Sequence, residues 1–395
     1  MNIDFHYYAT YLAAIIAGYS HEESSEIAYS AQFVDCCTRT FLTSIKAPLS
    51  AATTQSQVEL INARADLLGL QDITRIWSSF HFLPQDLYAE KKWCTRGYRN
   101  KYRLICGPNG DLLAETVKHA KGKSLESVGL AMHVLADTWA HRNFAGTPSL
   151  VINNTDYYFY EIFSSDAGEF EKKITFRHST STPDDLNRSI YTNSLFQTSE
   201  NSIMNLGHGR AGHLPDYSFI KYKYLPAWGD FTEIVKDNPS DYYHAFCQMV
   251  YAMRYLRGNI SSFDKDTYDF EIVSPYEAQI KEIINKRQID SCADWKALGE
   301  KISGNIIDDF DVYRYKDEYL AARKEAKDNT VLGRFFVAAL RQKSMVTNKI
   351  YKSGNMLAGF SADFAEKGFV GIKDFKKLVE VATSGGEKHD QNAKD

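Results

Sequence analysis

The stretch "HVLADTWAH", residues 133–141, sets His133, Asp137 and His141 four residues apart inside a segment that otherwise reads as a buried helix. The surrounding "LESVGLAMHVLADTWAHRNF" is apolar on most of its circumference, the pattern of a helix packed on all sides, and Ser124 precedes it as an N-cap. At about 100° and 1.5 Å per residue, the three polar side chains share about 80° of arc and spread over about 12 Å of axis. Burying two imidazoles and a carboxylate on one face is costly unless something compensates, and a divalent cation does so. An i, i+4 pair can meet one ion, but a third ligand at i+8 lies too far away for a single tetrahedral site. The spacing therefore predicts a multinuclear centre, with two ions roughly 3.5–6 Å apart and Asp137 between them. Nitrogen and carboxylate donors without thiolate suit zinc best, and manganese or iron also fits.

Outward from this helix the pattern stays mostly helical. An apolar helix is expected from Tyr7 to Ala17, ending at Gly18, and "SHEE" then spaces Ser20 and Glu23 as a capping box for a helix to about Cys37, leaving Asp35 near its end. "SQVELINARADLLGL" and "LLAETVKHAKG" continue the helical period. Between Thr147 and Asn205, "LVINNTDYYFYEIF", "KKITFRHSTSTPDD" and a Ser/Thr/Asn-rich run predict short strands and loops. Helices resume at "SDYYHAFCQMVYAMRYLRG". The fold class expected is mainly α: one large helical domain with residues 1–146 as a metal-binding core, 147–205 as an inserted loop and strand lobe, 206–384 as the remaining helical body, and 385–395 as a disordered polar tail.

The chain's 46 basic and 50 acidic residues among 395 give a net charge of −4, too balanced for a broad grip on phosphate backbones. The N-terminus has Asp4 and His6 ahead of its apolar run and no basic n-region, and no window approaches the ~20 apolar residues of a membrane span. A protein that is cytoplasmic when made is expected, with any membrane contact peripheral; export as an effector, independent of a signal, also fits. Six scattered cysteines, none in a CxxC pattern, point to reduced thiols and away from zinc fingers.

Other metal-competent residues gather in three places. His81 lies in the aromatic "IWSSFHFLPQD"; His208, His213 and Asp216 lie in "LGHGRAGHLPDYSF", a loop whose glycines let backbone and ligands converge; His6 follows Asp4 in "DFHYY". A lone buried histidine is more often satisfied structure than ligand, which would suffice for His6 or His81 alone but not for the helix triplet.

Taken together, these residues resemble the zinc-dependent phospholipase C superfamily, which also contains single-strand-specific nucleases. There, a helix supplies a His, an Asp four residues on and a further His, as His133, Asp137 and His141 do, and an upstream "HF" segment supplies another ligand, matched by His81 of "SSFHFLP". The family's metal-adjacent general base corresponds to Asp35 of "AQFVDCC". A third zinc uses the extreme N-terminus and a nearby His, for which "MNIDFHYY" offers His6, with Asp4 replacing the terminal amine. The family's His-x-x-x-Glu pair is carried onto His208, His213 and Asp216. The chain is also similar to an uncharacterised bacterial family with the blocks "DFHYY", "FHFLP", "ADTWAH" and "GHGRAGHLPD". Where the superfamily helix has five residues between its Asp and second His, "DTWAH" has three.

The resemblance implies a domain of the phospholipase C type and a zinc-dependent phosphodiester hydrolase with two or three ions and a metal-activated water. Asp137 would serve as ligand and Asp35 as the base that orients or deprotonates the water. A phospholipid or small phosphodiester is the expected substrate, with nucleic acid second because of the charge. The rival of a different class is a non-catalytic, metal-stabilised interaction or effector protein, which would close each site with four ligands. The 25 tyrosines read as packing before they read as a base or lipid platform.

Overall fold

The computed structural model describes residues 1–359, apart from 64, 166–167, 178–181 and 194–204. The polar tail expected at 385–395 and most of the Ser/Thr/Asn-rich run lie outside the described residues. The chain enters through a π-helical turn, Asp4–Ala9, that passes into α1 (Thr10–Ile16). Ser20 and Glu23 form the predicted capping box: Glu23 N donates to Ser20 Oγ (3.2 Å) and Ser20 N donates to Glu23 Oε2 (2.8 Å), opening α2 (His21–Phe33). Asp35 lies two residues past the end of α2, slightly outside the helix expected to run to Cys37. α3 (Leu67–Phe80), capped by the Asp66 carboxylate, delivers His81 as its C-cap.

α4 (Leu125–Ala140) is the central element and carries the opening motif, with every residue from Glu126 to Ala140 buried. It packs against α2, α3, α5 (Asn238–Arg257) and α6 (Val331–Lys352). Its closest approach is to α2 at Gly129, where a Cβ would stand 2.3 Å from the Ile27 carbonyl oxygen, so only glycine lets the two backbones meet. This packing places one large apolar core on all sides of α4.

Strands β1 (Tyr160–Ser165), β2 (Gly168–Lys173), β5 (Lys221–Tyr224) and β6 (Ile234–Asp237) form an antiparallel sheet in the order β2-β1-β5-β6, while β3 (Thr175–Arg177) and β4 (Ile190–Thr192) pair in parallel beside it. The sheet covers a second core of Phe144, Phe159, Tyr191, Tyr222 and Tyr224, so much of the aromatic content is packing. Helix at 54% and strand at 9% correct the expectation of a mainly α domain of the phospholipase C type: the fold is a helical body with a sheet lobe. The physical reason is β5 and β6. From beyond residue 205, β5 pairs with β1 and β6 with β5, turning what read as an insertion of loops and short strands into a sheet reaching Asp237. Among the described residues, no helix is long and apolar enough to cross a membrane.

Candidate metal centre

Five separate segments meet around α4, three of them, α4 included, at one carboxylate. Asp137, 1% exposed on α4, presents Oδ1 to the Met1 α-amine (2.8 Å) and His6 Nε2 (3.1 Å). Its Oδ2 faces His133 Nε2 (3.1 Å), His81 Nδ1 (3.3 Å) and His141 Nδ1 (3.5 Å). Asp35 Oδ1 approaches the same side, 3.7 Å from His81 Nδ1 and 3.9 Å from His133 Nε2. At the far end of α4, His141 Nε2 meets Asp216 Oδ1 at 3.2 Å, and His208 Nε2 lies 3.8 Å from Asp216 Oδ2. Three donor groups result: His6, His133 and Asp137; Asp35, His81 and His133; His141, His208 and Asp216, each with its ligand atoms within 4.8 Å of one another.

These spacings suit ions. Ligands held at about 2.0–2.1 Å in tetrahedral array lie roughly 3.3 Å from one another, and most of the contacts above fall close to that separation. Three of the rings are also oriented from behind. His81 Nε2 lies 3.1 Å from the Thr53 carbonyl, His141 Nδ1 2.8 Å from the His81 carbonyl, and His208 Nδ1 2.7 Å from the Gly212 carbonyl. A carbonyl can only accept, so each of these nitrogens carries the ring proton. In the neutral ring of His208 the bare Nε2 then faces Asp216, while in His81 and His141 the remaining nitrogen, Nδ1 and Nε2 respectively, is turned toward a carboxylate. Gly212 has φ +57°, and a Cβ there would come within 2.2 Å of the Thr192 carbonyl oxygen, so the loop needs glycine to present its own carbonyl to His208.

The electrostatics agree with the geometry. Burial lowers His6, His133 and His208 to about 4, which keeps these rings uncharged and free to donate lone pairs at neutral pH. Burial pushes Asp137 upward, but His141, the Met1 amine, His133 and His6 together hold it well below the usual carboxylate range. Asp216 is likewise held low, against its burial, by His208, the amine, His141 and His213. The amine itself rises to about 11 because Asp137, Asp216 and Asp35 outweigh its desolvation. Three carboxylates thus face one ammonium among neutral imidazoles, an excess of buried negative charge that favours cations. Asp35, raised by burial of its carboxyl, remains the most accessible of the three carboxylates at 32% side-chain exposure.

Asp35, His6, His81, His133, Asp137, His141, His208 and Asp216 are therefore brought together as expected from the sequence. Asp4 and His213 are not. Asp4 accepts hydrogen bonds from Phe5 N (2.8 Å) and Ser291 N (3.3 Å), and the amine of Met1 stands where Asp4 was expected to substitute for it. His213, its side chain largely exposed, lies 3.5 Å from Asp216 Oδ2, and the hydrogen bond raises its pKa, but it belongs to none of the three groups. The carbonyls of Thr53, His81 and Gly212 carry no signal in a side-chain sequence, and so escape sequence reasoning.

Residues 1–350 match a family described as "Family of unknown function (DUF6765)". The chain belongs to this family. No curated protein and no solved structure matches the chain. The DUF6765 region contains all three donor groups but assigns them no chemistry, and it carries no phospholipase C assignment for the fold.

Proposed function

We propose that the chain is a zinc-dependent phosphodiester hydrolase with phospholipase C-like activity. The observation that supports this reading is the donor arrangement: three groups of three, two of them sharing His133, rather than closed sets of four. Asp35, His81 and His133 would hold one ion, His141, His208 and Asp216 a second, and His6 with Asp137 a third. Bound there, divalent ions supply Lewis-acid polarisation of a phosphoryl group and a nucleophile at neutral pH. Asp137 links the groups, since its two oxygens face different partners. Asp35, with Oδ1 toward His81 and His133 and the greatest exposure of the three carboxylates, is the residue to accept the proton of the attacking water. His6, His133 and His208 stay neutral, as their burial requires. A net charge of −4 favours a phospholipid or small diester over nucleic acid.

The test is metal quantification on the purified protein, followed by parallel assays on phosphatidylcholine and single-stranded DNA, with Asp137→Asn as control. Expected are about two to three zinc ions per chain, cleavage of the lipid at its phosphodiester, and loss of both ions and turnover in Asp137→Asn with helical content retained. Preferential cleavage of DNA would move the reading to a nuclease. Full turnover in Asp137→Asn, or a metal-free inactive protein after zinc addition, would end it.

A further inference from the structure

Away from the metal centre lies a surface that the hydrolase reading does not use. Trp93 is fully exposed (101%) in "EKKWCTRGYR", and its backbone sits in the left-handed region at φ +57°, a conformation that costs an L-residue free energy. A second exposed aromatic, Phe231, shares that conformation at φ +57°. Both border one cleft of about 520 Å³, together with Tyr98, Leu150 and Val151. Leu150 (45%), Val151 (44%) and Phe231 (44%) remain substantially in water, giving a contiguous apolar face on a chain whose other aromatics are mostly packed.

The Trp93 loop is braced on both sides. Lys91 Nζ donates to the Trp228 carbonyl (2.5 Å) and to Asp230 Oδ2 (3.0 Å), and Thr95 Oγ1 accepts from Tyr98 N (3.2 Å) to start the next helical turn. The indole is thus held out in water by a built loop. Charge sets the kind of partner. Residues 89–103 contain six basic side chains, Lys91, Lys92, Arg96, Arg99, Lys101 and Arg103, against one acidic residue, Glu90, in a chain of net charge −4. Lys92 and Arg96, on either side of Trp93, are exposed.

We propose that this face docks onto an anionic lipid bilayer, with Trp93 seated at the interface beside the apolar rim of Leu150, Val151 and Phe231, and with Lys92 and Arg96 meeting the headgroups. A tryptophan stem with a polar edge, flanked by cations, matches the layered chemistry of a membrane surface, whereas a protein partner would demand no such ring of positive charge. The surface is also coupled to the metal centre through shared chain. Trp228 Nε1 donates to the Asn143 carbonyl (2.9 Å), two residues past His141. Asn153, at the end of the short helix that carries Leu150 and Val151, holds the Ala145 and Asn205 carbonyls, three residues before His208. Docking here would bring lipid next to the donor groups, which extends the hydrolase reading without depending on it.

The test is co-sedimentation of the zinc-loaded protein with vesicles of phosphatidylcholine, alone or with ~30% phosphatidylserine, alongside hydrolysis of a soluble aryl phosphodiester. Wild-type protein should pellet with the anionic vesicles and be released by high salt. Trp93→Ala should weaken binding several-fold, and removing Lys92 and Arg96 together should weaken it about fivefold per cation, the equivalent of ~1 kcal/mol each, while soluble hydrolysis stays unchanged in both. Equal binding by wild type and Trp93→Ala, or no preference for anionic vesicles, overturns the proposal. So does a self-association abolished by Trp93→Ala in protein that ignores vesicles, which would assign the face to a second copy. Binding without any hydrolysis sinks the hydrolase reading alone; hydrolysis of the soluble diester without vesicle binding sinks this one alone.

Discussion

At the scale of single residues, the centre turns on which histidines have one ring nitrogen tied to a carbonyl and the other aimed inward. His208 meets this condition, with Nδ1 on the Gly212 carbonyl and Nε2 toward Asp216, whereas His213, five residues on, approaches the same Asp216 oxygen with its side chain largely exposed and belongs to none of the three groups. His208→Ala should therefore lose about one ion per chain while His213→Ala keeps the full complement; metal analysis of the two dialysed variants decides, and equal loss would show that the loop rearranges around the metal. The sequence could not separate the two, since both lie near Asp216 in a glycine-rich loop and only tertiary packing sets which ring turns inward. For His133, Asp137 and His141 the helix itself does that work, because spacing of four fixes a common face wherever the helix is placed. Asp4 failed for the converse reason. An aspartate near the chain start looks alike as a ligand or as a cap, and what fixed it was Ser291, a contact 287 residues away.

At the scale of elements, the ligand rings rest on a brace that no motif announces. The segment before Thr53 is pinned to α6, where the buried Lys343 Nζ donates to the Ser50 and Ala52 carbonyls (2.6 Å each). Thr53 is itself tied to the end of α2, its N–H donating to Cys37 O (3.0 Å) and its hydroxyl to Val34 O (2.6 Å). The Thr53 carbonyl then orients His81. Burial lowers the Lys343 amine to about 8, although Asp72 and Cys37 pull it up. In the unfolded chain the amine keeps its proton to about 10.4, so across this window the unfolded state binds more protons and the lysine's contribution to stability rises with pH. The unfolding free energy of wild type minus that of Lys343→Met should accordingly grow by up to roughly 3 kcal/mol between pH 8 and 10.5, measured by urea denaturation; a flat difference would mean that the amine is solvated. The helices themselves were legible, since capping residues and apolar periodicity act locally, as the Ser20 and Glu23 box shows. The sheet's reach was not. "KYKY" and "IVKD" are four residues each, too short to display an alternation, and they become strands only by pairing, the first with β1 some 60 residues upstream and the second with the first.

At the scale of the whole molecule, the donor groups join segments that the chain keeps far apart: the N-terminal turn, the ends of α2 and α3, the body of α4 and the loop leaving the sheet lobe. The ties between the lobe and the helical body also include Arg287 to Glu161 on β1, with Ser189 and Tyr191 on the same carboxylate, and the buried Lys236 of β6, whose Nζ donates to the Trp139 carbonyl (2.9 Å). Ions bound across such a junction act as cross-links that exist only in the folded state, so their free energy of binding is added to that of folding. An ion present at ~1,000 times its dissociation constant contributes about 4 kcal/mol, and with an unfolding entropy of about 2 cal/mol/K per residue in a chain of 395 residues, chelation should lower Tm by roughly 5 °C for each ion lost. The loss should not be uniform. With His141, His208 and Asp216 freed from a common ion, amide exchange should quicken first in 205–217 and in the strands beyond, while α5, packed against α4 by apolar contacts around Met249 and Met253 and by the hydrogen bond from Trp139 Nε1 to Gln248 Oε1 (2.8 Å), stays protected. Exchange measured before and after chelation tests this directly, because a molecule whose buried carboxylates were balanced by the Met1 ammonium and hydrogen bonds, with no ions, would show the same Tm and the same protection pattern in both.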